Sequence, residues 1–263
     1  DVPGVARRRG TCMKLLMLPR YARLGASSRV RMYQYADALE HAGFDVQIEP
    51  LFGDDYLERL YDGRSVASSA AGALLGRARI LRSAKQPDLV WLEKEALPWM
   101  PWLIEGRMLS RSSRLITDYD DAVFHRYDLH ERGIVRSLLG TKIRRVMAKS
   151  DVVTAGNAYL ADHARAAGTE RVEIVPTVVD AQVYRPAQPR REGAPVVGWI
   201  GTPGTWREFM VPRLGFIEQA LKKANARFLA VGARGRPHAN ALFEFRTWSE
   251  DGEVESIQEM DIG

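Results

Sequence analysis

Apolar, strand-forming runs alternate with helical stretches along this chain, and the alternation starts twice. The first start is KLLML at 14–18. The second is VVGWI at 196–200, inside the longer stretch VVGWIGTPGT. Between them, strands are expected at 45–49, 88–92, 114–117, 151–154 and 172–175. Helices are expected at 28–42, within 54–84, and at 98–110, 133–149 and 158–167. Gly43 and Gly168 suit the C-terminal ends of two of these helices. After 196–200 the pattern continues with a helix at 208–224, strands at 227–231 and 242–247, and a short acidic helix at 252–260. Asp261-Ile262-Gly263 reads as the start of another strand. Alternation of this kind predicts an α/β fold with parallel sheets and helices on both faces.

Both starts run straight from strand to small-residue loop to helix, which is how an α/β fold brings backbone N–H groups up to a phosphate. The first loop, PRYARLGASSR, ends in Gly25, Ala26, Ser27 and Ser28. The second is Gly201, Thr202, Pro203, Gly204 and Thr205. Two Rossmann-like domains are therefore expected. The Pro-rich, aperiodic segment 186–195 reads as a linker, so 13–185 forms the first domain and 196–263 the second. A Rossmann-like domain needs more residues than the second contains, so its remainder is expected beyond Gly263. Met13 reads as the natural start, with 1–12 as a tail that includes Cys12, the only cysteine.

A chain of 263 residues is long enough for two such domains. A single cysteine excludes a disulfide framework and a cysteine-metal site, and fits a cytoplasmic protein. No apolar run approaches the roughly 20 residues needed to span a bilayer. The Arg7–Arg9 run lacks the apolar stretch and cleavage site of a twin-arginine signal. Net charge is +5, and the basic side chains are scattered without interleaved aromatics, which speaks against nucleic acid. The segment 134–149 is the exception: it holds Arg136, Lys142, Arg144, Arg145 and Lys149 and no acid. It reads either as a helix with a solvated basic face or as a face for anionic lipid headgroups or an anionic acceptor.

Chemistry is expected at the carboxyl ends of strands, where ligands of open α/β sheets gather. Ser27 or Ser28 suits a helix N-cap. Arg29 and Arg31 follow in the first turn, where the helix dipole disfavours a cation; Arg29 is expected to face an anion. Asp118, Asp120 and Asp121 stand at the end of another strand and repel one another unless a cation, hydroxyl groups or a helix N-terminus meets them. Asp120 or Asp121 could serve only as an N-cap. His125 and His130 read as bystanders, Asn157 as a helix cap, and Trp99 with Trp102 as packing for a helix against the sheet.

The segments GASSRVRMYQYADAL, KEALPWMPWLIE, DYDDAVF, AKSDVVTAGNAYLADHA, VEIVPTVVDAQVY, VVGWIGTPGT and IQEMDIG, in this order, resemble GT-B glycosyltransferases of the group 1, or family 4, type. The resemblance implies a sugar moved from a nucleotide-diphosphate sugar to a glycan or lipid-linked acceptor in cell-surface polysaccharide synthesis, with retention of configuration. It implies no metal and no cofactor beyond the donor. Gly201, Thr202, Pro203, Gly204, Thr205 and Arg207 would hold the donor. Gly25, Ser27, Ser28, Arg29, Asp118, Asp120 and Asp121 would line the acceptor side. The catalytic residue is not assigned. Two departures stand out. Thr202 occupies a position where many relatives carry Arg, and the family's pair of glutamates would lie beyond Gly263, so the chain alone is expected to hold donor poorly. The alternatives are a GT-B-fold sugar-nucleotide epimerase and a non-catalytic nucleotide- or sugar-binding protein.

Overall fold

The computed structural model describes residues 12–82, 87–110, 114–187, 193–234 and 241–263. The expected tail up to residue 11 with its arginine run, Ser83 and Ala84 of an expected helix, and 188–192 of the expected linker lie outside the described residues. Cys12 is exposed, and its thiol donates to the carbonyl of Gly43 at 3.0 Å.

The chain divides into two compact units, one holding residues up to Leu60 and Arg64–Val178, the other Tyr61–Gly63 and Val179–Gly263. The sheet of the first unit is built from β1 (Met13–Leu18), β2 (Phe44–Ile48), β3 (Leu89–Glu93), β4 (Leu115–Tyr119), β5 (Val152–Ala155) and β6 (Val172–Ile174). Every pairing is parallel and the order is β2-β1-β3-β4-β5-β6. The direction of winding reverses between β1 and β3, which makes the carboxyl ends of those strands the place where a doubly wound sheet opens a crevice.

The run MKLLML forms a strand because both faces of β1 are covered. Leu15 and Met17 pack with Met32 on one side, while Leu16 and Leu18 pack with Val90, Leu92 and Leu109 on the other. Full burial of each such side chain contributes about 1.5–3 kcal/mol. A third cluster gathers Tyr119, Phe124, Tyr127, Ile143 and Val153. Asn157 caps the helix Ala158–Ala167 by accepting from the Leu160 N–H at 3.0 Å, and Gly168 closes that helix with φ +97°.

In the second unit β7 (Val196–Ile200), β8 (Arg227–Val231) and β9 (Phe243–Arg246) form a parallel sheet of order β7-β8-β9. Ile262 pairs in parallel with Val197 on the free side of β7, and the Gly198 N–H donates to the Ile262 carbonyl at 2.7 Å. The expected strand start at the end of the chain thus has a place in the sheet. β8 also carries apolar residues on both faces, with Phe228 and Ala230 in one cluster and Leu229 and Val231 in the other.

Three expected helices differ from the continuous elements read in the sequence. Residues 28–42 form the helix Ala26–Arg31, a 3-10 turn Tyr33–Tyr35 and the helix Ala36–His41. Residues 133–149 form Gly133–Leu139 and Lys142–Lys149, separated at Gly140, where a Cβ would stand 2.4 Å from the Arg136 carbonyl oxygen. After β7, one α-helical turn Pro203–Thr205 passes into a π-turn Trp206–Met210 and a 3-10 turn Val211–Arg213 before the α-helix Leu214–Ala224. Pro212 accounts for the break, because its ring has no N–H to donate and crowds the carbonyl one turn earlier.

Candidate functional site

In the first unit, the carboxyl ends of β1, β3 and β4 bring together a cluster of charged side chains that is largely buried. The chain leaves β1 through Pro19 and Arg20. The Arg20 N–H donates to Glu93 Oε2 at 2.7 Å, and its guanidinium reaches Glu95 Oε1 at 3.3 Å. Gly25 is the N-cap of the helix Ala26–Arg31 and offers no side-chain cap. A Cβ at Gly25 would stand 2.4 Å from that of Tyr21, so this close approach of helix and loop requires glycine.

Neither serine is the N-cap. Ser28 instead ties the loop to the sheet: its Oγ accepts from the Tyr21 N–H at 3.0 Å and donates to Glu93 Oε2 at 2.6 Å. Ser27 hydrogen-bonds Asp120. Arg29 Nη1 donates to the Arg23 carbonyl at 3.0 Å. Arg31, two residues on and so on the nearly opposite side of the helix, meets Asp118. Its Nε and Nη2 form a fork on Asp118 at 2.9 and 2.6 Å, and its Nη1 donates to the Val175 carbonyl at 2.5 Å. Thr154 on β5 adds a hydroxyl to Asp118 at 2.5 Å.

The acidic run at the end of β4 is tolerated because each carboxylate has cationic company. Asp118 takes Arg31. Asp120 and Asp121 share Lys94 Nζ, each at 2.8 Å. Asp121 is the open member, with its side chain 70 % exposed, and it does not cap the next helix, whose N-cap is Phe124. Burial works against the charge on Asp120, but Lys94 outweighs it and holds the carboxyl below its ordinary range. Burial likewise opposes the Lys94 ammonium, and Asp120, Glu93 and Asp121 together push its pKa up.

Sequence reasoning assigned no role to the residues at the end of β3, yet they hold the centre of the cluster. Glu93 is buried, and its Oε1 has no hydrogen-bond partner. Burial raises its pKa, and neighbouring Lys94 only partly offsets the effect. Lys94 adopts φ +63°. Glu95 accepts from Tyr127 Oη at 2.8 and 2.9 Å and from Lys142 Nζ at 2.7 Å. Lys142 also reaches Glu105 Oε2 at 2.8 Å and the Leu97 carbonyl at 2.6 Å. Lys142 therefore belongs to the interior and not to the solvated basic face read in the sequence. Burial opposes ionisation of Glu95, but Lys142 and Arg20 bring its pKa down. Glu105 shares Lys142 yet is pushed up, because burial dominates there. The signal for this group was a run of charge, Glu93-Lys94-Glu95, directly after an apolar strand.

Trp102 packs on the sheet cluster as expected, but Trp99 does not. Trp99 sits half-exposed at φ +64°, its ring edge-on to Tyr127 at 5.2 Å. His125 is tied to Asp128 at 2.9 Å and to the Tyr159 hydroxyl at 2.7 Å.

In the second unit, Gly201, Thr202, Pro203, Gly204 and Thr205 stand at the carboxyl end of β7. Thr202 and Thr205 form a reciprocal capping box: the Thr202 N–H donates to Thr205 Oγ1 at 3.1 Å and the Thr205 N–H to Thr202 Oγ1 at 3.3 Å. The Gly201 N–H is spent on the Val231 carbonyl at 3.1 Å. A Cβ at Gly204 would meet nothing closer than Thr202 Oγ1 at 3.7 Å, so its backbone is open to close approach. Across the loop, Gly232 holds φ +84°, and a Cβ there would lie 2.2 Å from the Gly201 oxygen. Arg207 is exposed on the π-turn, with Nε donating to the Pro203 carbonyl at 3.3 Å.

Among the described residues, no group of three or more His, Cys, Asp or Glu side chains is placed to hold a metal ion, and no helix is long and apolar enough to cross a membrane. No protein-family model matches the chain, and no curated protein matches it in sequence. Solved structures do match in fold. S. aureus MnaA, in a structure with UDP, has a TM-score of 0.57 at 11% identity over 93% of this chain and 72% of that one. UGT73P12 of Glycyrrhiza uralensis, complexed with glycyrrhetinic acid 3-O-monoglucuronide, has a TM-score of 0.56 at 12% identity over 96% and 72%. UDP-GlcNAc 2-epimerase from Methanocaldococcus jannaschii has a TM-score of 0.51 at 10% identity over 94% and 76%. With the two parallel sheets, these likenesses show a fold of the GT-B glycosyltransferase type.

Proposed function

We propose that this protein is a glycosyltransferase that uses a nucleotide-diphosphate sugar. The observation that carries the reading is the Gly201–Thr205 turn at the carboxyl end of the first strand of a Rossmann-like unit, in a GT-B-type fold. Glycine at 204 lets a phosphate approach the backbone, the capping box holds the turn in one shape, and Arg207 supplies a cation beside it. In the reaction, the bond from the anomeric carbon to the diphosphate oxygen breaks, a bond to the acceptor hydroxyl oxygen forms, and the hydroxyl proton is released to solvent. The leaving diphosphate takes the electron pair, and the turn and Arg207 meet its charge. The donor set is Gly201, Thr202, Pro203, Gly204, Thr205 and Arg207. Gly25, Ser27, Ser28, Arg29, Asp118, Asp120 and Asp121 belong to the acceptor side, where Asp121 offers the exposed carboxylate.

The acceptor in this reading is a glycan or lipid-linked intermediate of cell-surface polysaccharide, reached from the cytoplasm, and configuration is retained. UDP is the first nucleotide to try, because it is bound in the S. aureus neighbour. Incubation with a panel of nucleotide sugars, with and without a lipid extract, tests the proposal. Acceptor-dependent release of nucleoside diphosphate supports it, and no turnover or donor hydrolysis across the panel contradicts it. The fold likeness to a UDP-GlcNAc 2-epimerase favours one second reading. Acceptor-independent formation of the 2-epimer with release of UDP would select it.

A further inference from the structure

Outside the charged cluster, the carboxyl end of the first sheet carries a second group of polar side chains. The acid run after β4 leads into the short helix His125–Asp128, and β5 leads through Gly156 and Asn157 into the helix Ala158–Ala167. β4 and β5 are parallel neighbours, so both helices start at the end of the sheet where ligands gather. There Asp128 Oδ1 meets His125 Nδ1 at 2.9 Å, and the Tyr159 hydroxyl meets His125 Nε2 at 2.7 Å. An ionised carboxylate only accepts, so in the neutral ring Nδ1 carries the proton and Nε2 accepts from the phenol.

Packing fixes the imidazole. Phe124, part of the core, lies edge-on to the His125 ring at 4.6 Å and stacks on His163 at 3.7 Å. Asn157 caps the helix that carries Tyr159. Burial does not demand these contacts. Tyr159 is 58 % exposed, and the side chains of His125 and Asp128 are 39 and 33 % exposed, so water can serve each of them. Exposed pairs of this kind add little to stability. Among the described residues, which include all nine tyrosines, Tyr159 is the only exposed one.

A nucleophile hydrogen-bonded to a base that a third group orients is the arrangement used in covalent catalysis. We propose that Asp128, His125 and Tyr159 form a nucleophilic site at which the Tyr159 phenol takes an acyl group from an activated ester. In that step Tyr159 Oη bonds to the carbonyl carbon, and His125 Nε2 takes the phenol proton. The bond from the carbonyl carbon to the leaving oxygen breaks, that oxygen keeps the electron pair, and His125 passes the proton to it or to water. Asp128 stabilises the transient imidazolium. The product is an aryl ester on Tyr159. Besides Asp128 and Tyr159, the titratable and charged neighbours are His163 on the helix Ala158–Ala167 and, beside it, Arg144 on the helix Lys142–Lys149.

Incubation with p-nitrophenyl acetate, followed by peptide mass spectrometry, tests this without any sugar donor or acceptor, so its outcome is separable from that of the glycosyltransferase reading. N-acetyltyrosinamide in the same tube gives the rate of a phenol that lacks the relay. Tyr159 of the wild-type protein is acetylated about 10²-fold faster than this standard, the usual contribution of a positioned base. His125→Gln, shown by circular dichroism to be folded, brings the rate down to that of the standard, and Asp128→Asn lowers it in part. The wild-type rate rises between about pH 5 and 8, as an imidazole loses its proton, whereas in His125→Gln it climbs toward about pH 10 with the phenol. No label on Tyr159, labelling no faster than the standard, or an unchanged rate in His125→Gln overturns the proposal.

Discussion

Lys142 shows how much depends on a single side chain. It is fully buried between Glu95 and Glu105, and its ammonium also meets the Leu97 carbonyl. Removing it leaves two carboxylates in the interior without their cation. We expect Lys142→Met to cost roughly 3–5 kcal/mol in a denaturant titration, whereas Arg145→Met on the exposed face costs within about 0.5 kcal/mol. Asp120 makes a prediction about pH. Its folded pKa lies below the unfolded value of about 3.9, so its contribution is fully present above about pH 4 and is lost as pH falls through the depressed value. Glu95 is depressed too and acts in the same direction. Thermal stability should therefore fall on acidification below about pH 4, with a shallower fall in Asp120→Asn. Identical acid profiles for variant and parent would refute this assignment.

At the scale of elements, strands were the most legible part of the sequence. The run at 196–200 and that at 227–231 are the observed bounds of β7 and β8, because consecutive apolar residues buried on both faces leave little freedom of register. Helices were less legible where one residue breaks the turn. Pro212 forces the π- and 3-10 turns after β7, and Gly140 separates two helices that share one apolar periodicity. The two loop glycines of the second unit separate stability from binding. Gly232→Ala has to hold φ near +84° with its Cβ against the Gly201 carbonyl, so a loss of about 1–3 kcal/mol from backbone strain alone is expected in thermal melts. Gly204→Ala has room and should change stability by no more than about 0.5 kcal/mol. Under the proposed donor reading it should nevertheless weaken nucleotide binding, because the added methyl would stand where a phosphate would approach the backbone.

For the whole molecule, alternation and the two strand–loop–helix starts were enough to read two Rossmann-like units, and the acid run Asp118–Asp121 pointed to the crevice end of β4. What escaped were the partners. Arg31 pairs with Asp118, and Lys94 pairs with both Asp120 and Asp121. Arg29 and Arg31 stand two residues apart on the helix Ala26–Arg31 and leave it on nearly opposite sides, and spacing alone does not encode which side faces the end of β4. We propose that the turn after β7 receives a nucleoside diphosphate. Calorimetric titration of UDP into the protein and into Gly204→Ala tests it most directly. Saturable binding that weakens in the variant while its melting temperature is kept is the expected result. No heat of binding in either protein, across UDP and the other nucleoside diphosphates, or equal affinity in both, would contradict it.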